Sequence, residues 1–221
     1  YVTNELGKYT VWIYNRASHK SKSVMTGGYK LDWISDYSGP LLEWHPNGNS
    51  LAIVTEKKAQ NYITFYMMDS GDKATKPLLR LDKIINMAYA PDGKTMILSA
   101  MAKGQTDLYQ YNVASNFQKQ LTNDIFDDKD PAFLTSGKVI FSSNRIDDTL
   151  RVASSPEKVN DTYDLFMLNV FDNSNILNRV TNTPQINETQ PYKLDSGQFV
   201  FLTDNSAISN RYKEHFDIVI S

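Results

Sequence analysis

Four groups of residues in this sequence have types and spacing that could do chemistry. Gly93-Lys94-Thr95 has the form of the end of a phosphate-binding loop. That loop also requires a glycine five positions earlier, where position 88 is Ala, and a strand–loop–helix setting. The segment therefore reads as a hairpin turn with an exposed lysine. Asp69-Ser70-Gly71 and Asp195-Ser196-Gly197 hold serines beside carboxylates, but neither has the G-x-S-x-G frame that lifts a nucleophile out of a turn. The histidines are His19, His45 and His215, and their spacings of 26 and 170 residues form no metal motif. A metal-dependent lyase would need a histidine set that these three do not provide. The chain is accordingly expected to carry no catalytic residues, no metal and no cofactor, and to show only background rates on peptide, ester and glycoside substrates.

The fourth group is acidic. Asp124, Asp127, Asp128 and Asp130 lie within seven residues, and Asn144, Arg145, Asp147 and Asp148 follow after one strand. Oxygen-rich loops of this kind suit calcium, but the spacing does not fit the twelve-residue loop with Gly at its sixth position and Glu at its twelfth. A solvated loop is the plain reading and a contact surface for a partner is the functional one. These eight residues are the candidate binding set, with a basic protein or peptide as the expected partner.

The elements that must position these groups repeat. An aromatic followed by a glycine-containing turn occurs as Trp44-His45-Pro46-Asn47-Gly48, Tyr89-Ala90-Pro91-Asp92-Gly93, Phe133-Leu134-Thr135-Ser136-Gly137 and Tyr192-Lys193-Leu194-Asp195-Ser196-Gly197. The aromatics are 45, 44 and 59 residues apart. The first two steps are those of a four-stranded propeller blade, roughly 40–45 residues. The third implies an insertion, which falls between Ser143 and Tyr163.

Each turn leads into an apolar strand: Leu51 to Thr55, Met96 to Ala100, Val139 to Ser143, Phe199 to Thr203. A third strand alternates with period two in Thr10 to Asn15, Tyr62 to Asp69, Asp107 to Asn112, Asp164 to Asn169 and Asp217 to Ser221. A short fourth closes at Leu81-Asp82, Leu121-Thr122 and Val180-Thr181. The four aromatics are expected to pack between blades.

The fold class is thus all-β, a β-propeller of four-stranded antiparallel blades, with about five blades covered and the first and last partial. Residues 1–221 are read as one partial propeller domain with blades near 1–26, 41–81, 86–121, 130–180 and 189–221. A start at Tyr1-Val2-Thr3 and an end at Phe216 to Ser221, both within strands, mark the chain as a segment of a longer protein. No helix beyond three turns is expected outside 144–163. A net charge of −2 argues against nucleic acid or anionic membrane as partner. No run approaches the roughly 18 apolar residues of a membrane span, so direct membrane insertion is not expected. The chain has no cysteine, which leaves disulfides and thiolate zinc out.

These motifs carry a family resemblance. Tyr89-Ala90-Pro91-Asp92-Gly93-Lys94 with Asp107-Leu108-Tyr109 and Leu121-Thr122 resembles the repeat of TolB-like (WD40-like) propellers. So do Asp130-Pro131-Ala132-Phe133 and Phe141-Ser142-Ser143-Asn144-Arg145 in the next repeat. The turns Pro-Asn-Gly, Thr-Ser-Gly and Asp-Ser-Gly and the insertion depart from it, and the Gly-His…Trp-Asp signature is missing. The resemblance implies a non-catalytic module that binds envelope proteins or peptides in the periplasm or cell envelope of a bacterium. In that setting the sequons Asn160-Asp161-Thr162 and Asn187-Glu188-Thr189 are coincidental. The alternative it leaves open is the gating propeller of a prolyl-oligopeptidase-type serine peptidase whose catalytic domain lies outside this segment.

Overall fold

Apolar runs that follow a glycine turn become the middle strands of hairpins. In a computed structural model, which describes residues 1–5, 7–28, 39–150, 159–172, 176–195 and 197–215, none of the described residues is helical. Gly48 and Gly93 take φ of 74° and 68°, the left-handed region that glycine enters without a Cβ penalty. Each donates its N–H back across the turn, Gly48 to the carbonyl of His45 at 2.8 Å and Gly93 to that of Ala90 at 2.9 Å.

The chain divides into two units. Tyr1–Leu79 holds two sheets. The first is β1 (Val2–Glu5), β2 (Lys8–Asn15) and β3 (Lys20–Gly28), in that spatial order. The second is β4 (Leu41–Trp44), β5 (Ser50–Lys57), β6 (Gln60–Met67) and β7 (Lys73–Leu78). Val11 and Val24 of the first sheet pack with Leu51, Ile53 and Tyr66 of the second.

Arg80–Ser221 holds three sheets. They are β8 (Lys83–Tyr89) to β11 (Gln118–Gln120) with β9 (Thr95–Ala102) and β10 (Gln105–Asn112) between; β12 (Asp128–Phe133), β13 (Lys138–Ser143), β14 (Asp164–Asn169) and β15 (Asn178–Arg179); and β16 (Glu188–Asp195), β17 (Gln198–Thr203) and β18 (Asn210–His215). Consecutive strands pair antiparallel throughout, the meander of a propeller blade. The middle sheet is buried on both faces. Val139 and Phe141 point toward Ile97 and Leu108, while Ile140 points toward Phe199 and Phe201. Alternate residues of β13 thus serve two cores, as the period of two requires.

Three expectations are corrected. The third strand of the last sheet is Asn210–His215, whose Asn210 pairs with Thr203; Asp217 to Ser221 lies outside the described residues. The fourth strand of the second sheet is Lys73–Leu78, and Leu81-Asp82 follows it without joining a strand. The aromatics also divide. Tyr89 and Phe133 are buried, whereas Trp44 is 46% and Tyr192 66% exposed. Trp44 ends β4, an edge strand. In the last repeat two register shifts place Tyr192 opposite Val200 and Lys193 opposite Phe199. A one-residue slip sends a side chain to the other face, and Tyr192 therefore points away from the Phe199 side.

Candidate functional site

The Asp-Leu pairs at 107–108 and 164–165 and the pairs Leu121-Thr122 and Val180-Thr181 close two of the sheets by one device. The Leu108 N–H donates to the Thr122 hydroxyl at 2.9 Å, and the Leu165 N–H to that of Thr181 at 2.8 Å. The backbone N–H of Leu121 and of Val180 returns a bond to the carbonyl of Leu108 and of Leu165, at 2.8 Å each. The Thr122 hydroxyl in turn donates to Asp107 at 3.3 Å, and Gln120 donates to the other oxygen at 3.0 Å. A backbone N–H left unpaired in a buried place costs ~1–3 kcal/mol. Thr122→Val is therefore expected to lower stability by that amount, and Thr122→Ser by under ~1 kcal/mol, in urea unfolding. Equal losses in the two variants would assign the effect to packing instead.

Above this closure sits Arg145, fully buried at 0% exposure. Its Nη2 donates to both oxygens of Asp128 at 2.8 Å, Nη1 to Asp124 at 3.1 Å and to the carbonyl of Thr149 at 3.3 Å, and Nε to the Ser143 hydroxyl at 3.0 Å. Its guanidinium lies over the rings of Phe126 and Phe166, 5.4 and 5.7 Å from their centroids. Asp107 completes the group: carboxylate oxygens of Asp107, Asp124 and Asp128 lie within 4.8 Å of one another. Among the described residues this is the one set of ligand-type side chains close enough for a metal. The cation there is Arg145 itself, which holds two of the three carboxylates.

The electrostatics follow from three buried acids beside one base that pairs with two of them. Burial, then the charges of Asp128 and Asp124, push Asp107 up to about 7, offset in part by the Thr122 hydroxyl. Burial also raises Asp124 despite Arg145 beside it. Burial opposes the charge on Arg145, and its two carboxylates outweigh that and raise it. Asp107 was visible in the sequence only as the start of a strand. Its recurrence with Asp164, each opening a third strand and each bonded by a threonine that follows the fourth, Thr122 and Thr183, is the signal that could have marked it.

The structure separates the eight candidate residues. Asp124, Asp128, Asn144 and Arg145 are buried, and as interior groups they are not available to a partner's side chains. Asn144 accepts the Asp127 N–H at 2.8 Å. Asp127 is half-buried and lies 3.6 Å from Lys129, whose ammonium sits over Tyr163 at 4.5 Å from the ring centre. Asp130, half-buried, accepts the N–H of Gln190 at 3.3 Å. Asp147 caps the N–H of Thr149 at 2.9 Å, and Asp148 is exposed. The insertion spans the β13–β14 connection as expected, with 151–158 outside the described residues. The histidines are dispersed: His19 bonds Tyr14, His45 bonds Asn47, and His215 bonds Gln198.

Within the second unit, loops between second and third strands meet connectors between sheets. Arg145 and Asn144 of the β13–β14 loop bond Asp124 and Asp127 of the β11–β12 connection. Tyr163 donates its N–H to Asn187 at 3.2 Å, and Asn187 donates to Asp204 at 2.7 and 2.9 Å. A rigid base of this kind, carrying a long loop, is where binding surfaces are commonly built.

No protein-family model matches the chain, and no curated protein matches it in sequence. Solved structures do match. TolB from Acinetobacter baumannii superposes with a TM-score of 0.63 at 15% identity, over 95% of this chain and 50% of that one. A prolyl endopeptidase gives 0.61 at 11% identity, over 95% of this chain and 29% of that one. The β-propeller domain of the Trilobed protease from Pyrococcus furiosus gives 0.58 at 11% identity, over 96% and 62%. The chain thus spans half the length of the Acinetobacter TolB. At these identities the likeness shows the fold and not the activity. What the repeats, the sheets and the superpositions share is one architecture: the chain has a β-propeller fold like that of TolB, with antiparallel blades of three and four strands.

Proposed function

We propose that the chain is a non-catalytic, protein- or peptide-binding propeller module of a bacterial cell-envelope protein. The observation that carries this reading is the loop-bearing end of the second unit. There the β13–β14 loop is anchored by Arg145 and Asn144, with Asp127, Asp147 and Asp148 left half-buried or exposed around its base. Three negative groups on a fixed base suit a partner that offers lysine or arginine. Neutralising them as Asp127→Asn, Asp147→Asn and Asp148→Asn keeps the hydrogen-bond acceptors and leaves the buried cluster intact. Exposed charges contribute ~0.5 kcal/mol each, so the combined variant is expected to weaken binding by about tenfold and to flatten its salt dependence. A photo-crosslinker at Asp148 is expected to capture the partner, and one at Ser136, in the turn between β12 and β13, is not. Unchanged affinity in the folded triple variant, or equal capture at both positions, would sink the assignment.

A second reading, the gating propeller of a prolyl-oligopeptidase-type peptidase, draws on the superposition with a prolyl endopeptidase over 95% of this chain. A G-x-S-x-G segment followed by Asp and His beyond residue 221 is what would favour it.

A further inference from the structure

The space between the last two sheets of the second unit is incompletely filled. β15 is only two residues long, while β18 runs six and is exposed at every one of them. The short strand leaves a cavity of about 500 Å³ between the sheets, within the roughly 300–1,000 Å³ of ligand pockets. Leu134 and Ile140 form one wall. Phe199, Phe201 and Tyr212 form the other, as an aromatic row with centroids 6.0 and 6.3 Å apart.

Glu188 also lines this cavity. It is 5% exposed, and its Oε2 has no hydrogen-bond partner. The hydroxyls of Thr181 and Thr183 lie beside its carboxyl group and favour its charge, and the nearby Asp164 and Asp204 add negative potential. Glu214 adds a second carboxylate to the lining, and among the described residues no lysine or arginine lines the cavity. The one basic ring, His215, is exposed. Anions are therefore disfavoured, and a neutral donor would satisfy the orphaned oxygen but not the charge. A buried carboxylate with one oxygen unpartnered is costly and is stabilised most by a cation that replaces its lost water.

We propose that the cavity binds an alkylammonium group, its carbon chain against Phe199 and Phe201 and its ammonium on the Glu188 carboxylate. This site stands whether or not the loop-bearing end binds a protein. The chemistry is shared by a lysine side chain and by a free aliphatic amine. Calorimetric titration with n-pentylamine, Nα-acetyl-lysine methylamide and 1-pentanol separates these sources. At least one of the two amines is expected to bind, and pentanol at least tenfold more weakly. Blocked lysine binding as well as pentylamine points to a peptide lysine, and pentylamine alone points to a free amine.

Glu188→Gln is expected to lower amine affinity at least tenfold. Should that variant fail to fold, the wild-type chain still decides the matter: carbon-13 detection of the Glu188 carboxyl should show its titration midpoint fall by about one pH unit, a tenfold effect, when pentylamine is added. Binding by neither amine, equal binding of pentanol, unchanged affinity in folded Glu188→Gln, or an unmoved midpoint would each overturn the proposal.

Discussion

Arg145→Leu is expected to destabilise the second unit by ~3–5 kcal/mol, the largest loss of any single replacement considered for this chain. The reason is asymmetry. An ion pair taken out of water contributes little net stability, because each partner gave up its hydration. Removing one partner leaves the other charge buried with nothing to replace that water. Here the deletion strands Asp124 and Asp128, both wholly inside, and adds repulsion from Asp107. It also frees the Thr149 carbonyl and the Ser143 hydroxyl, which hold the first turn of the β13–β14 loop. A domain stability of ~5–15 kcal/mol leaves little margin for such a loss. Arg145→Lys keeps a charge but cannot make the forked contact with Asp128, and should fall between wild type and leucine. In a double-mutant cycle with Asp128→Asn, the two losses should be non-additive by ~1–3 kcal/mol. Urea unfolding checks this. A loss below ~1 kcal/mol for Arg145→Leu, or strict additivity in the cycle, would mean that the guanidinium is not what holds these carboxylates.

The same residues mark where the sequence was legible and where it was not. The turns at Gly48 and Gly93 could be read because positive φ and a following apolar run are local properties, and they place β5 and β9 without further help. Arg145 could not be read. Its partners lie 21 and 17 residues upstream, and charged side chains are by default exposed, so an acidic run beside an arginine looks like surface. The half of the candidate set that was misplaced, Asp124, Asp128, Asn144 and Arg145, is the half that is buried. Tyr192 failed for a different reason. Its turn resembles the others by composition, but register is a long-range property, and one extra residue turned the ring outward. The strand Asn210–His215 carries no apolar alternation because nothing covers it among the described residues. Glu188 gave no signal at all: within the sequon Asn187-Glu188-Thr189 it is an ordinary polar residue, and only the short β15 makes it the wall of a cavity.

Asp107→Asn is expected to stabilise the chain at pH 8 by ~2 kcal/mol and to leave it unchanged near pH 4. Asp107 carries an ordinary value of 3.8 when unfolded, and burial with Asp128 and Asp124 beside it lifts it to about 7 when folded. Below pH ~4 the proton is bound in both states, and the native cluster has its full stability. Between pH ~4 and ~7 the folded chain holds a proton that the unfolded chain has released, so stability falls as pH rises through that window. Above ~7 the group is ionised in both states and the loss is complete. The full linkage value is ~4 kcal/mol, and about half is expected to be realised, because the Gln120 amide also donates to the carboxylate and accommodates part of the charge. Asparagine imitates the protonated acid, so the variant keeps the low-pH cluster at every pH. Asp124, Asp130 and Glu188 are raised as well, chiefly by burial, and give the variant a residual slope of the same sign. Asp204, lowered by its bonds from Asn187, works the other way. Subtracting the urea stability of wild type from that of Asp107→Asn at each pH cancels those shared groups. The difference should rise from near zero at pH 4 to a plateau above pH 7. A difference that is flat with pH, or one that grows toward acid, would show that Asp107 is ionised in the folded chain and that Arg145 is shared among all three carboxylates.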